Sequence, residues 1–417
     1  MKDHSCPKQS RTTSAKTGMF KLPHNRIPRR LVVKASCSIF SQILKLFSLS
    51  DFQRMVKESK SEVASKGFSS WSQFVAMLFC QLGRAHSLRE IEGGLKSCEG
   101  KLSHLGITAP ARSTLSYANT HRPAALFEGI FHQLYATLSA EFKGRKKFRF
   151  KNKLVSLDST SIELCLSVFD WAHYKRTKGA VKLHMVLDHD GYLPQFCVIT
   201  DGKVADITAA RQLAFPRGTV VVMDRGYVDY RLFGRWHNEG FFFVTRFKSD
   251  MAFEVIEEQK PPSGRNIQAV QLVRLKGKTA DAHAPILRRV EVLLDNGEIL
   301  VLLTNHLKLG ASTVAAIYKD RWKIELFFKD LKQNLKIKTF VGTSLNAVRT
   351  QIWTALITLL LLKYLKLKSR FGWSLSNLVA ILRMNLFIHK DLQHWLNEPY
   401  ALPPDKKDPI QALLVGV

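Results

Sequence analysis

The chain has 417 residues, 46% of them hydrophobic, enough to bury a sizeable core in two or three domains, which excludes a disordered tail. Its 63 Lys and Arg against 34 Asp and Glu leave a formal charge of +29, which calls for a polyanionic partner: nucleic acid, ribosome or anionic membrane surface. Six dispersed cysteines with no Cys-x-x-Cys pair argue against a disulfide framework or a zinc ribbon. With no signal peptide, and a longest apolar run, near 352–362, too short to span a bilayer, the expectation is a cytoplasmic protein without a membrane partner.

In chain order, residues 1–36 are Lys- and Arg-rich with no apolar period, and read as a disordered basic arm. Residues 37–142 read as an all-helical DNA-binding domain, with apolar periods at Ile39, Ile43 and Leu46, and at Phe74, Val75 and Leu78 behind the cap signal Ser69-Ser70-Trp71-Ser72. Within it, residues 87–92 and 111–119 form either a helix-turn-helix or an ordinary helical hairpin. In the first case Arg112, Ser113, Ser116 and Asn119 face a major groove. A basic linker with interleaved phenylalanines, 143–153, is suited to gripping phosphates.

The texture then turns strand-like. Residues 154–158, 181–188 and 195–200 predict a three-stranded meander, and 218–224 and 241–246 two more strands with a helix at 229–239 between them. This first core part, 154–247, is followed by a β-rich segment at 248–305, where Pro261-Pro262 and Asn296-Gly297 mark turns. A second core part, 306–365, carries the most informative helix, and 366–417 forms a helical C-terminal region.

Two acids close apolar strands: Asp158 in Ser156-Leu-Asp-Ser-Thr160 and Asp224 in Val222-Met-Asp-Arg-Gly-Tyr227. Each alone is also an ordinary turn or cap residue. A buried carboxylate, however, needs a cap, a partner or a metal. The helix at 318–332 sets Tyr318, Arg321, Glu325 and Lys332 within an arc of roughly 60° at 100° per residue, beside an apolar face of Ile324, Phe328, Leu331 and Leu335. If that helix packs over the strand ends, three carboxylates converge. Oxygen-only ligation suits two Mg²⁺ or Mn²⁺ ions, which hold the attacking and leaving oxygens of a phosphodiester.

The order Asp158, Asp224, Glu325 and the spacing Tyr-x2-Arg-x3-Glu-x6-Lys resemble the DDE transposases of bacterial insertion sequences, in the Tyr-Arg-Glu-Lys group called the insertion-sequence-4 family. Residues 68–74, 87–91, 112–116, 224–227 and 342–353 look familial as well. The resemblance implies an RNase H-like α/β core with a β-rich insertion, preceded by a helical DNA-binding domain. It implies that Asp158, Asp224 and Glu325 bind two Mg²⁺, with Mn²⁺ as a substitute. Tyr318, Arg321 and Lys332 would place phosphates, and Arg225 and Tyr227 would be further DNA contacts. His184 and Asp188 are expected in structural roles. The implied partners are double-stranded DNA, both inverted repeats and target, and a second copy of the chain, on a bacterial nucleoid. Some relatives stack a flipped base on an aromatic of the insertion; here that segment offers only Phe253. The expected activity is cut-and-paste transposition. The alternatives are a structure-specific nuclease on the same fold and an inactive transposase-derived DNA-binding protein.

Overall fold

The computed structural model describes residues 37–401 apart from 64, 66, 143–146, 176–177, 277–284 and 338. The basic arm, the first residues of the linker and the end of the C-terminal region (402–417) lie outside the described residues.

Serines punctuate the helical N-terminal part. Helices α1 (Ile39–Leu44), α2 (Leu49–Glu58), α3 (Ser70–Leu82) and α4 (Leu88–Lys96) each begin behind a Ser whose hydroxyl accepts an otherwise unpaired amide of the first turn: Ser38, Ser48, Ser69 and Ser87. Helices α5 (Arg112–His121) and α6 (Ala125–Ala140) complete the layer. Its core is aromatic: Phe74 packs against Phe47, Phe52, Trp71 and Phe127.

The strands are β1 (Leu154–Leu164), β2 (His173–Lys175), β3 (Lys178–Asp188), β4 (Leu193–Asp201), β5 (Val220–Met223), β6 (Phe242–Arg246), β7 (Ala252–Gln259), β8 (Ile267–Lys276), β9 (Leu287–Leu293) and β10 (Ile299–Thr304). Helix α7 (Asp206–Ala210) precedes β5, and α8 (Tyr230–Glu239), capped by Asp229, links β5 to β6. Among the described residues these strands form one sheet in the order β2-β3-β1-β5-β6-β10-β9-β8-β7, with β4 also paired to β3. The β1–β3 and β3–β4 pairs are antiparallel, whereas β1–β5 and β5–β6 are parallel.

Two sequence expectations need refining. Asp158 does not end its strand. Strand β1 runs on to Leu164 as the partner of β3, because the alternating stretch Ser159 to Leu164 pairs residue by residue with Gly179 to His184. The β-rich segment is continuous with the core sheet: β10 pairs directly with β6, and β9, β8 and β7 extend the sheet from there.

The sheet's two faces bury different side chains, as the period of two requires. Val155, Leu157, Val221, Met223 and Phe243 point to α8, against Leu232, Phe233 and Trp236. Leu154, Val220, Val222 and Val244 point to the opposite face, covered by Val314 and Ile317 of α9 (Ala311–Asp320). Next to it, α10 (Trp322–Asn334) lies on β1. The 24-residue α11 (Leu345–Lys368) is apolar on all sides because it is surrounded, by α3, α5 and α6 among others, and this burial accounts for its membrane-like composition. Gln81 of α3 and Gln351 of α11 both donate to the Lys336 carbonyl, tying the helical layer to the segment that follows α10. Helices α12 (Leu375–Asn385) and α13 (Leu392–Asn397) close the C-terminal part.

Candidate active site

Strands β1 and β5 run parallel, with Leu154 opposite Val220, Ser156 opposite Val222 and Leu157 opposite Met223. One more step of that register sets Asp158 against Asp224, where β5 has ended. Both continue the face of Leu154, Ser156, Val220 and Val222, so by strand alternation both carboxylates belong to the side covered by α9 and α10.

The helical stripe reaches the site across a junction. Tyr318 lies in the last turn of α9, Arg321 links the helices with φ −50° and ψ −35°, and Glu325 is in the first turn of α10. The buried face of Ile324, Phe327, Phe328 and Leu331 fixes the rotation of α10 against the core. Glu325 is thereby turned toward Asp158. Arg321 joins the two acids: its guanidinium donates to Glu325 Oε1 at 2.7 Å and to Asp158 Oδ2 at 3.4 Å. It also lies 5.5 Å from the Tyr318 ring centre. The Tyr318 hydroxyl donates to Asp224 Oδ1 at 3.3 Å. Lys332, half-buried, follows two helical turns beyond Glu325 on the same flank of α10.

Electrostatics record the convergence. Burial pushes the Asp158 carboxyl up to about 6, and the charges of Glu325 and Asp224 push the same way; the Ser159 amide and Arg321 oppose them. Burial alone would lower the Arg321 pKa, but Glu325, Tyr318 and Asp158 outweigh it and raise it above the usual value. Among the described residues, no three His, Cys, Asp or Glu side chains stand close enough to hold an ion as they are placed. The guanidinium lies between two of the acids. The donor set itself, three carboxylates with mutual repulsion at a buried aspartate and no imidazole or thiolate, fits a hard divalent cation.

Other predicted residues fall elsewhere. Arg225 is exposed beside Asp224, but the Tyr227 ring is buried in the α8-side core, so a DNA-contacting role for Tyr227 is corrected. Two residues beyond Arg225 the short 3-10 turn has swung the chain back under the sheet. Arg112 and Ser113 are exposed on α5 and Ser116 is half-buried, while Asn119 is buried and accepts from Gln73 Nε2 at 2.9 Å. Asn119 therefore faces α3 and does not face a groove. Phe253 packs edge-on against Phe247 at 5.3 Å, with Arg289 over both rings, so its ring is already engaged. His184 contacts Thr200 and Asp206, and Asp188 accepts from Tyr135 and pairs with Lys153, structural contacts in both cases.

Two supporting networks escaped sequence reading. Behind Asp158, the Ser159 hydroxyl donates to Asp206 Oδ1 at 2.7 Å, and Lys182 pairs with the same oxygen at 3.3 Å. In front, Asp320 is buried beneath the Tyr318–Arg321 turn. It accepts from His189 Nδ1 at 2.9 Å, from the Tyr192 hydroxyl at 2.8 Å and from Lys147 of the basic linker. His189 Nε2 in turn meets the Ser156 hydroxyl at 2.7 Å, two residues before Asp158. Asp320 had one available signal: on the wheel it points some 200° from Tyr318, toward the sheet, where a lone acid needs partners.

The transposase DDE domain family matches residues 149–361, and a domain of unknown function (DUF4372) matches residues 36–108. The first span begins just before β1, contains both aspartates and the α9–α10 junction, and ends within α11. The chain belongs to the transposase DDE domain family and is thus a transposase, an enzyme acting on DNA. A putative transposase, y4zB, of Sinorhizobium fredii is 33% identical over 308 residues, 72% of this chain and 84% of the relative. A probable transposase for insertion sequence element IS5377 of Geobacillus stearothermophilus is 29% identical over 222 residues, 53% of this chain and 59% of the relative. Among solved structures, a piggyBac transposase synaptic complex with hairpin DNA aligns over 90% of this chain and 82% of its own, at a TM-score of 0.40 and 9% identity.

Proposed function

We propose that this transposase works by cut-and-paste: it binds the terminal inverted repeats of an insertion sequence, cleaves DNA at their ends and joins the freed 3′-hydroxyls to target DNA. The observation that carries the reading is the gathering of Asp158, Asp224 and Glu325, from two parallel strands and a helix, at one junction, where Arg321 links Asp158 to Glu325 and Tyr318 holds Asp224. The antiparallel run β4-β3-β1 followed by parallel β5 and β6 supports an RNase H-like core. The Tyr318, Arg321, Glu325 and Lys332 spacing supports membership of the insertion-sequence-4 group.

In this reading Asp158, Asp224 and Glu325 are the ligands of the divalent ions, Mg²⁺ or Mn²⁺. Bound there, the cation supplies positive charge for phosphate oxygens and favours deprotonation of the attacking hydroxyl. The chain's own residues do the rest. The Arg321 guanidinium, paired with Glu325 and Asp158, sets a positive charge beside the bound phosphate, and Tyr318 and Lys332 flank the same site with a hydroxyl and a compact charge. Ser159, anchored on Asp206, fixes the Asp158 backbone, and the Asp320 network fixes the turn that carries Tyr318 and Arg321. Arg225 and the exposed face of α5, with Arg112, Ser113 and Ser116, extend the contact with duplex DNA, and two copies of the chain hold the two ends.

The test is incubation of the purified protein with duplexes carrying the inverted repeats that flank its gene, with Mg²⁺ or with EDTA. Nicks at the repeat ends that require the metal, followed by joined product, are expected. Cleavage without joining would favour a structure-specific nuclease, and binding without cleavage an inactive DNA-binding relative.

A further inference from the structure

Just beyond the end of α10 the backbone of one lysine is fixed from both sides. The Lys336 amide donates to Gln81 Oε1 at 2.8 Å, and its carbonyl accepts from Gln81 Nε2 at 3.2 Å and from Gln351 Nε2 at 2.7 Å. Both glutamines are fully buried, and Lys336 itself is only 9% exposed. Its ammonium meets the His86 ring at 2.8 Å. An ammonium carries three donors and a neutral imidazole offers one acceptor, so two donors are left for another acceptor.

The surroundings of that ammonium are cationic. Burial lowers the Lys336 pKa, and so do the charges of Arg84, in the turn between α3 and α4, and of Arg383 on α12; Cys80 and Glu90 oppose them. Arg84 is held at a φ of 57°, a left-handed conformation that costs a residue with a side chain. Neither arginine makes a side-chain hydrogen bond or ion pair among the described residues. Glu90 is committed to the start of α4, where it accepts from the His86 amide at 2.9 Å and from the Ser87 hydroxyl at 3.4 Å.

Charge and position decide what the site takes. Three cations from separate elements repel one another, and the carbonyl end of α10 offsets only part of that charge. An apolar partner would leave them unanswered, whereas one phosphate presents oxygens to the free ammonium donors and to both guanidinium forks. At 1.5 Å per residue, Lys336 lies about 15 Å past Glu325, on the order of four to five base-pair steps of about 3.4 Å. A duplex leaving the three acids along α10 brings a backbone phosphate to it.

We propose that Lys336, with Arg84 and Arg383, holds a backbone phosphate of the transposon-end duplex, roughly four to five base pairs from the scissile bond. The identity of the duplex as a transposon end rests on the function proposed above; the anion site itself does not. Because its cations come from the α3–α4 turn, the segment after α10 and α12, the bound phosphate ties the helical layer to the helix that carries Glu325.

The test replaces Lys336 by Met, which keeps the buried stem and removes the charge, and the exposed Arg383 by Ala. Binding of the full chain to an end duplex is read by fluorescence anisotropy over a range of salt, in EDTA, so the readout does not depend on cutting. At about 0.1 M salt K336M should bind roughly 10- to 100-fold more weakly, and both variants should lose about one from the slope of log binding constant against log salt. A neutral methylphosphonate placed at each backbone position in turn should weaken the wild type at one position where it leaves K336M unchanged. Without DNA, in chloride, K336M should melt no lower than the wild type, because it relieves the repulsion. A K336M protein that melted lower yet kept the wild-type slope would overturn the proposal and leave Lys336 a packing residue. It would also be overturned if inorganic phosphate stabilised the wild type over K336M while no methylphosphonate position separated them, which would assign the site to a free anion. A wild type that bound these duplexes but never cut them in Mg²⁺ would count against the proposed catalytic function alone and leave the phosphate site standing.

Discussion

Replacing Asp320 by Asn perturbs an acid that joins the linker, the segment after β3 and the turn that carries Tyr318 and Arg321. The carboxylate accepts three hydrogen bonds, two of them, from His189 and Tyr192, at its Oδ2. Because a carboxylate only accepts, His189 must donate through Nδ1, and a neutral imidazole then leaves Nε2 to accept from the Ser156 hydroxyl. An asparagine loses the charge and presents donors where donors already point. Lys147 is 56% exposed, so its share is screened by solvent; the loss falls mainly on the buried His189 contact. Leaving those buried donors facing an amide, with no buried charge left over, costs about 1–3 kcal/mol. With a urea slope of about 3 kcal/mol/M, the unfolding midpoint at pH 7 drops by about 0.3–1 M.

The pH dependence gives the sign. Burial would raise the Asp320 pKa, but His189, Lys147 and Tyr192 outweigh it and hold the carboxyl far below the usual range. The stabilisation is therefore complete above the unfolded carboxyl pKa of about 3.9 and is lost as pH falls below it, through the folded value. Urea titrations of both proteins should show a constant gap from pH 8 to about 4.5, narrowing below about 4. Equal midpoints at pH 7, or a gap that widens in acid, would show that the Asp320 carboxylate does not stabilise the fold.

Two further outcomes separate catalysis, binding and folding. Arg321→Lys keeps a charge but cannot reach Asp158 and Glu325 together, so nicking should fall roughly 10²- to 10³-fold while end binding in a mobility-shift assay changes little. On α5, Arg112→Ala should lower the slope of log binding constant against log salt by about one, whereas Asn119→Ala should leave that slope alone and lower the thermal midpoint, because its amide is spent on Gln73.

The three acids were legible in sequence because each stands where a local rule makes it conspicuous: two at the ends of apolar β runs, one at helical spacing from a tyrosine, an arginine and a lysine. The division of the stripe between α9 and α10 was not, since Arg321 keeps helical angles through the junction and the wheel barely changes. Tyr227 and Asn119 were misread for a common reason. Motif adjacency placed them beside the proposed contact residues, while burial, a tertiary property, turned their side chains inward. The extent of β1 beyond Asp158 and the continuity of β7 to β10 with β6 depend on which strand finds which partner, and alternation within a strand does not say. The Asp320 network joins residues 147, 156, 189, 192 and 320, separations no local pattern spans.

The assignment of the three acids is tested by end cleavage and strand joining by the wild type, Asp158→Asn and Glu325→Gln in Mg²⁺, with mobility shift on the same duplexes. Both variants are expected to bind the repeat ends as the wild type does and to lose nicking and joining by several orders of magnitude. A Glu325→Gln protein that still nicked and joined at wild-type rates would contradict it.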